Sequence, residues 1–359
     1  MDNKESLQVN KAYMKFLDVT FFTNLDWLRA LAIVAVILHH VKPLSDPIAI
    51  LQENGRYGVS LFFVVSGFLI CSLLIREERK HGHICLRSFY IRRGLRLFPL
   101  YYLMLLLYFI LIFFFHQFSE ENQALFWEKL PFHLLYMSNW TSQSTEGPFF
   151  FSWSLAVEEQ FYLVFSFAFA IFIRSKIIYA ILIAILVKFL ALNVFDLGWS
   201  HVTARILFSY SEPILMGVLA AYVVHTKKGF RVLSALSKIS VLALVSVGVL
   251  VLLATYELTD KSEPMALILY GLMTALTVGV ALRPRIPFLG NRIFLHVGKI
   301  SYGIYLLHML FIMVIERFVS TNPMIVFPMA LVGVVLGGSV VYQYIERPIL
   351  SFKGNFSRI

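Results

Sequence analysis

The 359-residue chain holds only two cysteines, Cys71 and Cys85. Two thiols make no disulfide framework of the kind that staples small secreted domains. Both fall beside a basic segment, so they read as free thiols on the cytoplasmic side. Charge is scarce as well: Asp, Glu, Lys and Arg make up 14% of the residues, against roughly 25% in a soluble domain. The first twenty residues lack a short apolar core followed by a small-residue cleavage site, so no cleavable signal peptide is expected. No repeat period is visible and the halves do not mirror each other, unlike many transporters, which carry inverted repeats. What the chain has in excess is apolar: 59% of its residues are hydrophobic and its mean hydropathy is +0.76. Together these values exclude a soluble globular domain and describe a polytopic membrane protein.

Ten apolar runs approach the roughly 20 residues needed to span a bilayer. They cover 24–42, 57–75, 97–116, 153–173, 177–194, 205–224, 238–256, 264–282, 300–317 and 323–345. The first is short and polar at its ends. With the N-terminus inside, 23 of the 31 lysines and arginines fall on the inner side, 6 on the outer side, and Arg29 and Lys188 within spans. That alternation is the positive-inside pattern. It accounts for the net charge of +10 without a nucleic-acid partner. The expected fold is therefore all-α, with ten transmembrane helices and both termini cytoplasmic. Residues 1–23 form an inner N-terminal segment, 24–346 the transmembrane domain and 347–359 an inner tail. The long outer segment, 117–152, is aromatic and polar enough to lie on the membrane face as a short lid. Its Asn139-Trp140-Thr141 sequon has little weight, because such triplets recur by chance.

The first span contains "RALAIVAVILHH". Arg29 and His40 are eleven residues apart, close to three helical turns, so they share a face about 16 Å apart; His39 points about 100° away. An ionisable group inside a span is costly unless it meets a partner or a cavity. An interfacial histidine with a snorkelling arginine explains the pair equally well on spacing alone. Other spans tip the balance. "FFSWSLAVEEQFYL" carries Glu158 and Glu159, with Ser154, Glu158 and Tyr162 on one face. An acidic helix start complementing the dipole suits Glu159 better than Glu158. "RILFSYSEPILMG" buries Glu212, and "ISYGIYLLH" adds Ser301, Tyr302 and His308. Titratable groups on several helices point to a buried site. "RSFYIRRGLRLFPLYY", read as an inner loop leading into the third span, gathers Arg92, Arg93 and Arg96. Arg93 and Arg96 are i, i+3 neighbours, and guanidinium forks suit phosphate. Positive-inside anchoring explains their charge but not this density beside Pro99.

These residues resemble the membrane acyltransferase-3 family, which O-acylates carbohydrates and other cell-surface or secreted acceptors. The resemblance runs through "LDWLRALAIVAVILHH", "GVSLFFVVSGFLI", "FYIRRGLRLFPLYY", "WSLAVEEQFYL", "ISYGIYLLH" and "YIERPIL", in that order, over nearly the whole chain. Each motif is weak alone; six in order are specific. The family's basic residue followed by a key histidine falls on Arg29 and His40, its arginine pair on Arg93 and Arg96, and its first glutamate after "WSL" on Glu158. Many members carry histidine where this chain has Phe151, and aspartate where it has Glu212. The chain ends at Ile359, soon after the tenth span, so the resemblance implies the membrane domain without the esterase-like domain that some relatives append.

The resemblance implies acetyl-coenzyme A, or another acyl-coenzyme A, as the donor substrate. No permanently bound cofactor and no metal are expected. Arg93 and Arg96, with Arg29, would hold donor phosphates. His40 would serve as general base toward an acceptor hydroxyl, or as acyl carrier, with Glu158 orienting it. Glu159, Glu212, Tyr302 and His308 would stand behind these groups. The implied partners are a carbohydrate or glycolipid acceptor and membrane lipids, and the implied location is the bacterial inner membrane. The rival class is a multi-pass transporter of a small polar or anionic solute.

Overall fold

The computed structural model describes residues 3–19, 21–44, 49–115, 117–141, 146–171, 179–183, 187, 211–256, 263–283 and 291–356. Among these every regular element is helical. Two compact units emerge. One comprises residues 1–82, 212–342 and 359; the other comprises 83–211 and 343–358. The two units draw on interleaved stretches of chain.

In the first unit, α1 (Asn3–Leu17) precedes α2 (Leu25–His40), α3 (Ala49–Glu53) and α4 (Tyr57–His81). The unit resumes with α8 (Ser211–Val224), α9 (Lys227–Leu233), α10 (Ile239–Thr255), α11 (Glu263–Leu282), α12 (Arg292–Lys299), α13 (Ser301–Phe318) and α14 (Pro323–Val341). The helix over Ala49–His81 lies at the centre: 78% of its most apolar stretch is buried, against 22% for the helix running from Pro323. Small residues let the helices approach. A Cβ on Gly67 would stand 2.1 Å from the Ile214 carbonyl oxygen, and one on Gly217 would stand 2.2 Å from that of Val64. The two glycines thus bring α4 and α8 into backbone contact, a packing mode suited to lipid, where close contact and not water exclusion drives association. α4 stops at Gly82, whose left-handed φ of 74° lets its N–H reach the Glu78 carbonyl. Glycine adopts that conformation without the penalty a Cβ carries.

The second unit holds α5 (Leu86–Phe113), α6 (Glu120–Leu134), α7 (Ser152–Ile171) and the short α15 (Arg347–Ser351) with a final turn, Phe352–Phe356. The arginine-rich stretch read as a loop is the opening of α5. Leucine and arginine are good helix formers, and Pro99 sits inside the helix. The lid segment forms α6, capped by Ser119, whose hydroxyl accepts from the Asn122 N–H. Its buried face is Phe126, Lys129 and His133, spaced i, i+3 and i+7 as on one amphipathic stripe.

Among the described residues, six helices are long and apolar enough to cross a membrane, seven if the pair bent by 76° (Lys227–Ser237 and Ile239–Thr255) is one span. The chain is a multi-pass membrane protein. Most of the expected span 177–194 lies outside the described residues, as does the first part of 205–224. α2 and α8 are apolar but shorter, at 16 and 14 residues.

Candidate active site

In the first unit, His40 ends α2 and His308 lies midway along α13. Their rings meet edge to face with centroids 4.9 Å apart. The Nδ1 of His40 lies 2.8 Å from the Val36 carbonyl oxygen of its own helix. The Nδ1 of His308 bonds in the same way to the Tyr305 carbonyl. A carbonyl only accepts, so each Nδ1 carries the hydrogen. In the neutral ring that leaves Nε2 as the basic nitrogen. His308 is fully buried and Tyr305 packs beside it, ring centroids 5.3 Å apart.

His39 turns elsewhere. Its Nδ1 donates to the Gln52 carbonyl at 3.2 Å. Gln52 in turn stitches the chain reversal after α2, donating to the Val41 and Lys42 carbonyls at 2.9 Å and accepting from the Leu44 N–H at 2.7 Å. The two adjacent histidines therefore point to different elements, as their 100° separation requires. Arg29, three turns below His40, sits 3.7 Å from Asp26. Asp26 itself packs against α12, where a Cβ on Gly298 would stand 1.7 Å from the Asp26 carbonyl oxygen. Glu212 and Tyr302 are both buried in this unit, at the start of α8 and near the start of α13.

The second unit holds Arg93, Arg96, Glu158 and Glu159. Arg93 lies over the Tyr162 ring at 4.8 Å, and its charge interacts with Glu158, Glu159 and Arg96. The Tyr162 hydroxyl donates to the Glu158 carboxylate. The face predicted from the spacing of Glu158 and Tyr162 is thus present. Ser154 departs from it, turning its hydroxyl to the Phe151 carbonyl at 3.2 Å. Arg92 reaches the Phe356 carbonyl at 2.7 Å and ties the final turn to α5.

The family profile described as "Acyltransferase domain" (Acyl_transf_3) matches residues 22–343. The chain belongs to the acyltransferase-3 family. O-acetyltransferase OatA from Staphylococcus aureus strains NCTC 8325 and COL is 27% identical to it over 377 residues, covering 97% of this chain and 60% of OatA. Further proteins of S. aureus, from strains COL and N315 among others, are 24% identical over 368 residues, covering 94% of this chain and 59% of their own length. The chain therefore spans about 60% of the curated relatives it matches. No solved structure matches.

Within this family framework the position of Phe151 is instructive. Phe151 is buried in an aromatic cluster with Phe149 and Tyr108. A histidine reaches the neighbourhood from α6 instead. His133 is buried, with its ring 5.5 Å from that of Phe149 and its Nδ1 2.9 Å from the Ser152 hydroxyl, which donates to Ser138 at 3.0 Å. Burial, reinforced by the charge of nearby Lys129, pulls the His133 pKa down to about 4. Lys129, itself buried and lowered for the same first reason, donates to the Glu146 carbonyl at 2.8 Å. Two aromatic residues of this segment, Tyr136 and Phe149, have positive φ of 54° and 63°, a conformation in which bulky side chains are strained. The sequence reading passed over His133; its i, i+3, i+7 stripe with Phe126 and Lys129 was the available signal. Asn139 of the sequon is buried and pairs with Gln160 at 2.9 Å.

Proposed function

We propose that this chain transfers an acetyl group from cytosolic acetyl-coenzyme A to a hydroxyl of an extracytoplasmic glycan, with His40 as general base. One observation carries the assignment. The Val36 carbonyl holds His40 Nδ1 as the N–H, so Nε2 is the nitrogen able to take a proton. In the proposed reaction Nε2 removes the acceptor hydroxyl proton as the oxygen attacks the thioester carbonyl. The tetrahedral intermediate then expels the coenzyme A thiolate, which receives the proton from the imidazolium. The products are the O-acetyl ester and free thiol. A neutral imidazole suits this role because its ordinary pKa lies near working pH.

His308 is a positioning residue in this scheme. Its ring packs edge-on against His40 and leaves that imidazole one orientation. Arg93 and Arg96 serve the donor phosphates, with Glu158 and Glu159 offsetting the guanidinium charge when no donor is bound. Family membership and the OatA relatives support O-acyl transfer over solute transport.

The test is release of free thiol from acetyl-coenzyme A by membranes carrying the chain, with and without added envelope glycan. Glycan-dependent release that His40→Ala abolishes is the expected result. Release that persists in His40→Ala removes His40 from the reaction. Label that accumulates on His40 before glycan is added replaces the general-base route with an acyl-histidine intermediate.

A further inference from the structure

The N-terminal helix α1 packs one face inward and leaves the other to its surroundings. Tyr13 donates to the His225 carbonyl at 2.5 Å and packs on Phe230, ring centroids 5.2 Å apart. Phe16 meets the rings of His225 and Phe230 at 5.0 and 5.5 Å. Arg76, near the end of α4, donates to the Phe16 carbonyl at 2.9 Å and also to that of Val19. Its guanidinium lies over Phe22 at 4.5 Å. These anchors lie near the end of α4 and just past the end of α8, all within the first unit. The helix is therefore fastened where two apolar helices run out, at the level of a membrane surface.

The outward face has a different composition. Leu7 is 72% exposed and Met14 is 50% exposed, and they lie seven residues apart on one face with Lys11 between them and Lys15 adjoining. Short α9 repeats the arrangement: Phe230 is buried, Val232 is 72% exposed, and Lys227, Lys228 and Arg231 are exposed. The described side chains of α1 and α9 include five cations; the carboxylates nearest them are the exposed Asp18, one residue past the end of α1, and, in the sequence of α1, Glu5. Exposed apolar side chains interleaved with an excess of cations are what an anionic lipid surface selects. The apolar groups enter the headgroup boundary while the ammonium and guanidinium heads stay at the phosphates.

We propose that α1 and α9 together form a docking surface for the anionic cytoplasmic leaflet, with Leu7, Met14 and Val232 inserted and Lys11, Lys15, Lys227, Lys228 and Arg231 against lipid phosphates. The surface is independent of the acyl-transfer chemistry.

The experiment uses the full chain with Cys71→Ala and Cys85→Ser, carrying Met14→Cys labelled with an environment-sensitive fluorophore. It is reconstituted in vesicles of phosphatidylcholine alone or with phosphatidylglycerol. The reporter emission should shift to the blue as the phosphatidylglycerol fraction rises. The shift should shrink in high salt, because exposed charges are screened. Lys11→Gln with Lys15→Gln should reduce the inserted fraction by on the order of fivefold per cation removed. A Val232→Cys reporter should respond in the same way, and it guards against a local effect of the Met14 substitution. Emission indifferent to phosphatidylglycerol at both positions, or a full response in the double lysine variant, overturns the proposal.

Discussion

The two units solve one problem in different ways. Each carries ionisable side chains within apolar helices, where an unpartnered charge costs several kcal/mol. In the first unit His40 and His308 spend their Nδ1 hydrogens on carbonyls of their own helices and pack ring against ring. In the neutral ring of each, Nε2 is then the basic nitrogen. In the second unit Arg93 lies over an aromatic ring with Glu158 and Glu159 in electrostatic range, and Glu158 is bonded by Tyr162. That region gathers ionisable groups of both signs. In the proposed reaction the two are different instruments: the histidine would move a proton and the arginines would hold an anion.

The comparison breaks most readily at Arg93. Arg93→Met removes the guanidinium that lies over the Tyr162 ring and acts electrostatically on Glu158 and Glu159, a loss of about 3 kcal/mol, the upper end for contacts with charged groups. Thermal unfolding of the purified chain in detergent should show this loss, and His308→Phe in the first unit should show a clearly smaller one. Equal losses would mean that the two regions are not built differently.

Next in size is the pH response of α6. The His133 pKa is held at about 4 in the fold, below the 6.5 of an unfolded histidine. The unfolded chain therefore binds the proton first as pH falls. Stability is fully present above about 6.5 and is lost progressively toward pH 4, by about 3 kcal/mol. Hydrogen exchange of α6 amides should accelerate over that window, and His133→Gln should flatten the dependence. An unchanged profile in His133→Gln assigns the acid response to another group.

Smaller effects separate neighbours. Tyr162→Phe removes a hydrogen bond to a carboxylate, worth about 1.5–3 kcal/mol, and keeps the ring under Arg93. His39→Phe removes the bond to the Gln52 carbonyl, worth about 0.5–1.5 kcal/mol. Unfolding midpoints of the two variants give the order, and a larger loss in His39→Phe would move the structural weight to the turn after α2.

The helical period made the local part of this site readable. It placed Arg29 and His40 on one face and His39 off it, and it joined Glu158 to Tyr162. It could not say that His308 meets His40, because the two lie on helices 268 positions apart in sequence and nothing local encodes that contact. Tyr305, one turn before His308 on the same face, was legible in principle. The opening of α5 was misread for a physical reason. Arginines were counted as loop charge, although they continue a helix as readily as leucine does. Left-handed backbone at Tyr136 and Phe149 carried no glycine to announce it. The acetyl-coenzyme A donor and the glycan acceptor rest on family resemblance and not on any spacing.

The most direct test sets the two histidines side by side. Acceptor acetylation is measured for His40→Ala and His39→Phe at matched membrane levels. The account predicts that His40→Ala loses activity by about 10²–10⁴-fold, the usual cost of a missing general base, while His39→Phe keeps most of it. An inactive His39→Phe beside an active His40→Ala would contradict the account outright.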